Sequence, residues 1–271
     1  MTRAVAIHQV DAFTSKLFGG NPAAVCPLDE WLDTATMQAI AAENNLSETA
    51  FYVPKKVPND GPRNGHYELR WFTPLVEIDL CGHATLAAAS VIFGDTAKAG
   101  DEIVFHSQRS GELRVTRTTG GRYALNFPAR PPQKCALNDD LNAALGVEPV
   151  ELMAADRYLA VLDSEETVRN LKPKMHLLAQ LDRTVVVTAE GQDVDFVSRF
   201  FAPGKGIPED PVTGSAHCVL IPFWAARLGR QALHAHQVSK RGGELFCRDL
   251  GDRVEIAGTA VLYLTGQIHL P

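Results

Sequence analysis

The chain has 271 residues, with 26 basic and 32 acidic side chains giving a formal charge of −6 at pH 7. That length suits two domains of roughly 100–150 residues each, and the acidic balance excludes the basic footprint of a nucleic-acid or anionic-membrane binder. The opening M-T-R-A-V-A-I-H-Q-V-D carries no apolar secretory core and no uninterrupted apolar run approaches a membrane span, so a cytoplasmic protein is expected.

In chain order, apolar alternation predicts a strand over 5–10, and the G-G-N-P of 19–22 reads as a turn. Asp33 or Thr34 is placed to cap a helix with Met37, Ile40, Ala41 and Asn44 on one face. A strand follows over 46–53, where alternation puts Glu48 on the face of Leu46, Ala50 and Tyr52. An acid there is either an edge or loop glutamate in water, or a buried carboxyl. In the second case desolvation raises its pKa and lets it release and accept a proton near neutral pH.

A strand over 67–72 leads into W-F-T-P-L-V-E-I-D-L-C-G-H-A-T-L-A-A-A-S-V-I-F-G, where an apolar helical run starts at Gly82 and ends at Gly94. Strands over 102–106, 113–118 and 123–127 come next, then a helix opened by Asp140 and running to Gly146, then a strand over 184–188. The first pattern then returns as F-F-A-P-G-K-G-I-P-E-D-P-V-T-G-S-A-H-C-V-L-I-P-F-W-A-A-R-L-G, with Gly214 at the helix start, and a last strand spans 254–263. One motif used twice, half a chain apart, predicts an α+β protein of two pseudo-symmetric halves, 1–120 and 121–271, with the last strand, about 258–271, packing back on the first half.

Each run after the glycine is apolar nearly all round, which predicts a buried helix. Gly94 and Gly229 are placed as C-terminal caps, and Pro222 is expected to kink the second helix. A buried helix start needs acceptors for its free N–H groups, so G-H-A-T and G-S-A-H are plausible cradles for a carboxylate. Asp210, before Pro211, either orients a donor or caps the turn. His83 is a proton-exchanging group or a satisfied half-buried histidine. Ser215 donates to a ligand or caps, and Glu209 reads as a solvated neighbour.

Five cysteines, widely spaced and without a C-x-x-C pair, predict reduced thiols rather than a disulfide framework or zinc ribbon. His234 and His236 form an H-A-H with no acid or cysteine pair near them in sequence, a weak metal signal. The chain has no H-E-x-x-H, Walker loop or G-x-S-x-G elbow, so a mechanism without metal or organic cofactor is favoured.

Taken together, Q-V-D-A-F-T-S-K-L-F-G-G-N-P-A-A-V-C, S-E-T-A-F, C-G-H-A-T, E-D-P-V-T-G-S-A-H and G-D-R-V-E-I-A-G-T-A-V-L-Y-L resemble the PhzF-like isomerases of phenazine biosynthesis nearly end to end. The resemblance implies the diaminopimelate epimerase-like fold, in which each half curls a mainly antiparallel sheet around a central buried helix and the active site lies between the halves. It also implies a cytoplasmic homodimer without cofactor, acting on a small carboxylate that is unsaturated or cyclic, in the manner of a trans-2,3-dihydro-3-hydroxyanthranilate isomerase. Carried onto this chain, the acid/base residue is Glu48, with His83 and Asp210 as catalytic partners and Gly82, Thr213, Gly214 and Ser215 contacting substrate. Related epimerases use two opposed cysteines. Here one position is Cys81 and the other is Thr213, which argues against two-thiol stereoinversion, leaving an amino-acid epimerase or a non-catalytic binder as the alternatives.

Overall fold

The computed structural model describes residues 3–55, 65–94 and 101–270. The chain runs β1 (Arg3–Ala12), β2 (Asn21–Pro27), α1 (Thr34–Asn44), β3 (Glu48–Pro54), β4 (His66–Phe72), β5 (Glu77–Ile78), α2 (Gly82–Gly94), β6 (Glu102–Ser107), β7 (Gly111–Arg117) and β8 (Tyr123–Pro128). It continues through β9 (Gln133–Lys134), α3 (Asp139–Leu145), β10 (Glu151–Ala154), β11 (Tyr158–Val161), α4 (Glu165–Asn170), α5 (Met175–Leu178), β12 (Val185–Glu190) and β13 (Phe196–Ala202). After a short 3-10 turn come β14 (Ile207–Asp210), α6 (Gly214–Leu228), β15 (Ala232–Gln237), β16 (Gly243–Asp249), β17 (Arg253–Gly258) and β18 (Ala260–Leu270). Two compact units hold these elements, Met1–Asn126 with Ala257–Pro271 and Phe127–Ile256.

Strand pairing records the duplication. In the first unit β1–β2 is antiparallel, β2–β3 parallel, β3–β4 antiparallel, β4–β6 parallel and β6–β7 antiparallel. In the second, β10–β11, β11–β12, β12–β13, β13–β15 and β15–β16 repeat the same order of senses. A parallel step needs a crossover, and in both units each crossover carries helix: α1 and α2 in one, α4 with α5 and then α6 in the other. β18 lies antiparallel along the whole of β1.

The helices bury what the sequence marks as apolar. α2 is buried from Gly82 through Ala89 and again at Ile92 and Phe93. Full burial of Leu86 or Phe93 is worth about 2–3 kcal/mol each. α1 packs its Met37, Ile40 and Ala41 with Phe51 and Val53 of β3 and Phe72 of β4. Asp33 caps α1, its carboxylate accepting the Thr36 N–H.

Three expected element bounds are corrected. The helix expected to open at Asp140 starts at Asp139 under an Asn138 cap, because Asn138 Oδ1 reaches the Leu141 N–H at 3.1 Å. The strand expected over 46–53 starts at Glu48, and it is buried on both faces up to Val53 because α1 and α2 both pack on it. The strand expected over 254–263 is two strands that break at Thr259, whose carbonyl accepts the Thr14 N–H. α6 runs on through Pro222 to Leu228. Proline there removes the donor due to the Cys218 carbonyl four residues back, and the Arg130 N–H takes that carbonyl at 2.8 Å instead. Gly229 caps α6 in the left-handed conformation at φ 66°.

Candidate active site

In the first unit the site is built on the start of β3 and the start of α2. Glu48 is the first residue of β3, and parallel pairing sets it beside Ala23 of β2. It is 6% exposed, and His83, on the first turn of α2, is 4% exposed. Glu48 Oε2 lies 3.1 Å from His83 Nε2, yet the pair is misaligned for a hydrogen bond and neither atom has a hydrogen-bond partner among the described residues. Buried polar atoms left this way are costly, and a ligand arriving between them would satisfy both.

On its other side the His83 ring meets Asn21 Nδ2 at 3.1 Å and Cys81 Sγ at 3.5 Å, both at Nδ1. A neutral ring accepts the Asn21 N–H there and carries its own proton on Nε2, toward Glu48. A second proton on Nδ1 requires the Asn21 amide to turn its oxygen to the ring. Burial alone would depress the imidazole, but the Cys81 sulfur and the Glu48 carboxylate outweigh it and hold His83 well above its usual range. Burial, reinforced by Glu48, pushes the Cys81 thiol up to about 11, which keeps it protonated near neutral pH. Cys81 also stands at the cap of α2: its carbonyl accepts the Thr85 N–H at 3.1 Å and the Thr85 hydroxyl at 2.6 Å. Ahead of that first bond, the N–H groups of Gly82, His83 and Ala84 have no helical acceptor.

The second unit organises its helix start differently. Thr213 precedes Gly214 as Cys81 precedes Gly82, but its hydroxyl donates back to Asp210 Oδ2 and makes no cap to the helix. Gln237, fully buried on β15, fixes this turn, accepting the Thr213 N–H at 2.8 Å and donating to the Asp210 carbonyl at 2.7 Å. Asp210 is buried, whereas Glu209 is clamped by Arg199 through Nε at 2.7 Å and Nη2 at 2.9 Å. The expectation of a solvated Glu209 is therefore corrected. Alternation along β14 points the two acids to opposite faces, and the face of Glu209 is the one Arg199 of β13 occupies.

Beside Ser215 stands a cation that the sequence did not reveal. Arg157, 7% exposed, donates from Nη1 to Ser215 Oγ at 3.3 Å and from Nε and Nη2 to Asp156. Arg130 shares the same carboxylate, at 2.6 Å. Burial pulls Asp156 upward, but Arg157 and Arg130 overcome it and hold the carboxyl below its usual range. Two guanidinium groups on the Asp156 carboxylate set positive charge beside the first turn of α6, offset in part by Asp210, and a helix N-terminus with a cation beside it favours an anion.

One turn into α6, His217 is fully buried with Nδ1 at 2.9 Å from the Thr213 carbonyl, and burial lowers its pKa to about 4. The unfolded chain protonates this group near its ordinary 6.5 and the folded chain only near 4. Its contribution is therefore intact above pH 6.5 and is lost as pH falls toward 4, by about 3 kcal/mol. Urea denaturation of wild type and His217→Gln from pH 7 to 4 should show this extra loss in wild type alone. Parallel curves would assign it to other groups.

Of the expected residues, the structure brings Glu48, His83 and Gly82 together in one unit, and Asp210, Thr213, Gly214 and Ser215 in the other. Asn21, Arg157 and Gln237 were missed. Gln237 left a signal, a polar residue at the inward position of an alternating strand; Asn21 and Arg157 left none beyond their neighbours' composition. Glu48, Cys81 and His83 also place one ligand atom each within 4.8 Å of the others, a spacing that a metal ion would accept.

Comparison with known proteins agrees with this architecture. The model of the PhzC-PhzF family, phenazine biosynthesis-like proteins, matches residues 10–266. The chain belongs to this family. An uncharacterized isomerase of Pseudomonas aeruginosa is 52% identical over 265 residues, 97% of this chain and 98% of that protein. A PhzF-family crystal structure from Enterococcus faecalis superposes with a TM-score of 0.93 at 47% identity, covering 99% of this chain and all of the other. At the level of fold alone, a hydroxyproline epimerase from Agrobacterium vitis aligns with a TM-score of 0.63 at 12% identity, over 99% of this chain and 93% of that one. The PhzF-family chain thus has the fold shared with the epimerases and racemases. Among the described residues no helix is long and apolar enough to cross a membrane.

Proposed function

We propose that this PhzF-family chain is a cofactor-independent, cytoplasmic isomerase that shifts a proton between carbons of a small carboxylic acid, unsaturated or cyclic. Glu48 is the acid/base group. It takes the proton from one carbon and returns it to another carbon of the same conjugated system, so redox state is unchanged and no covalent adduct forms. His83 steadies the charge that passes through Glu48 and the substrate, and Asp210 is the acid of the second helix start. Gly82 in the first unit, and Thr213, Gly214 and Ser215 with Arg157 in the second, are the substrate-contacting groups of this reading. The observation that carries this reading is the buried Glu48–His83 pair, 3.1 Å apart and without a hydrogen bond at the facing atoms. A homodimer is the proposed assembly.

Cysteine chemistry offers the sharpest test against the epimerase reading. A thiol held protonated up to about pH 11, with Thr213 rather than a cysteine at the second helix start, is not equipped for a two-thiol exchange. Cys81→Ser is therefore expected to retain most turnover of an acid identified by NMR screening, before and after exhaustive chelation. Complete loss with an intact near-ultraviolet spectrum would favour thiol chemistry. Inactivation by chelation alone would point to a metal held by Glu48, Cys81 and His83.

A further inference from the structure

The H-A-H of β15 acquires in the fold the acid that its sequence neighbourhood lacks. β15 is buried at Leu233, Ala235 and Gln237 and half-exposed at His234 and His236, so both imidazoles stand on the outward face. On the antiparallel neighbour β16, register sets Glu244 opposite His236 and Phe246 opposite His234, on that same face. Glu244 Oε1 is 2.8 Å from His234 Nε2 and 4.0 Å from His236 Nε2. One donor atom from each of the three residues lies within 4.8 Å of the others.

We propose that His234, His236 and Glu244 form a binding site for a divalent transition metal, with zinc as the expected occupant. Ligand atoms at zinc-bond length around a tetrahedral ion sit about 3.3 Å apart, and the two measured separations straddle that value, so small side-chain rotations close the site. Two imidazoles and one carboxylate suit zinc among the first-row ions and leave a fourth position for water. The second coordination layer is also present. The Phe246 ring stacks on His234 at 4.7 Å and 7°, fixing its plane, and Asp195 Oδ2 accepts the His234 N–H at 2.6 Å, fixing its backbone. From α4, Arg169 and Glu165 face His236, and the 2.6 Å ion pair between them neutralises the arginine that would otherwise repel a cation. Bound metal would staple β15 to β16. These are strands of the second unit and share no residue with the Glu48, Cys81 and His83 group.

The test uses untagged, metal-free full-length protein titrated with Zn2+ by calorimetry and with Co2+ by absorption. Wild type should bind one equivalent, show cobalt d–d bands without a thiolate-to-cobalt band, and melt at a higher temperature with Zn2+ present. His236→Ala and His234→Ala should each abolish all three effects while keeping the wild-type circular dichroism. Glu244→Gln should weaken binding by at least the roughly tenfold that loss of an outer partner costs. Absence of binding by wild type, persistence in both histidine variants, or a thiolate band marking capture at Cys81 would overturn the proposal.

Discussion

Glu48→Gln is expected to abolish turnover, by the roughly 10²–10⁴-fold that general acid–base catalysis contributes, with the fold left intact. Glutamine keeps the shape of the side chain at the start of β3 and removes the exchangeable proton. Glu48 Oε2 and His83 Nε2 make no hydrogen bond to each other, so no bond of the fold is lost when the carboxylate becomes an amide, although His83 loses the charge that helps hold its pKa up. Ligand affinity should therefore change little while kcat collapses, the pattern of a group needed in the transition state rather than for binding. Steady-state kinetics on the identified acid, with circular dichroism of both proteins, checks this. Activity within a factor of two of wild type would remove Glu48 from the mechanism.

Gly20→Ala should cost about 2–4 kcal/mol of stability, the sum of a left-handed alanine and a steric overlap that cannot relax. Gly20 has φ +59°, and a Cβ there would collide with the Ala12 carbonyl oxygen and lie 2.8 Å from Thr14 Cγ2. Ala12 cannot retreat, because β1 is paired with β2 on one side and β18 on the other. The next residue is Asn21, whose amide meets His83, so residual folded protein should also lose activity. Gly121→Ala is the control: φ is +72° but no atom lies within 4 Å of its Cβ, and only the conformational cost of about 1–2 kcal/mol should appear. Equal denaturant midpoints for the two variants would show that the clash at Ala12 relaxes freely.

The legible parts of this protein are those whose physics is local. Asp33 is a cap because its side chain bonds three residues on, and α2 is readable as a buried helix because every face of its run is apolar. Glu48 stood out as an acid in an apolar strand, and the repeated helix starts gave Gly82, His83, Gly214 and Ser215. What stayed hidden is set by neighbours distant in sequence. β13, F-V-S-R-F-F-A, is buried on both faces except at Arg199, so it shows no alternation. Arg157 reaches Ser215 across 58 residues, and Asn21 reaches His83 across 62. Glu209 looked solvated because nothing nearby in sequence reveals that Arg199 of the adjacent strand faces it.

Carbon-to-carbon proton transfer through Glu48 is tested most directly by running the reaction in deuterated water and recovering the product for mass spectrometry. Wild type should place deuterium at a single carbon of the acid, with no nicotinamide consumed and no lasting mass increase on the protein, and the label should fall short of one full equivalent where the shielded carboxyl returns the proton it took. In Glu48→Gln under identical conditions incorporation should vanish. Labelled product from Glu48→Gln at the wild-type rate, or product formed only with nicotinamide oxidation or a stable protein adduct, would contradict the proton shift.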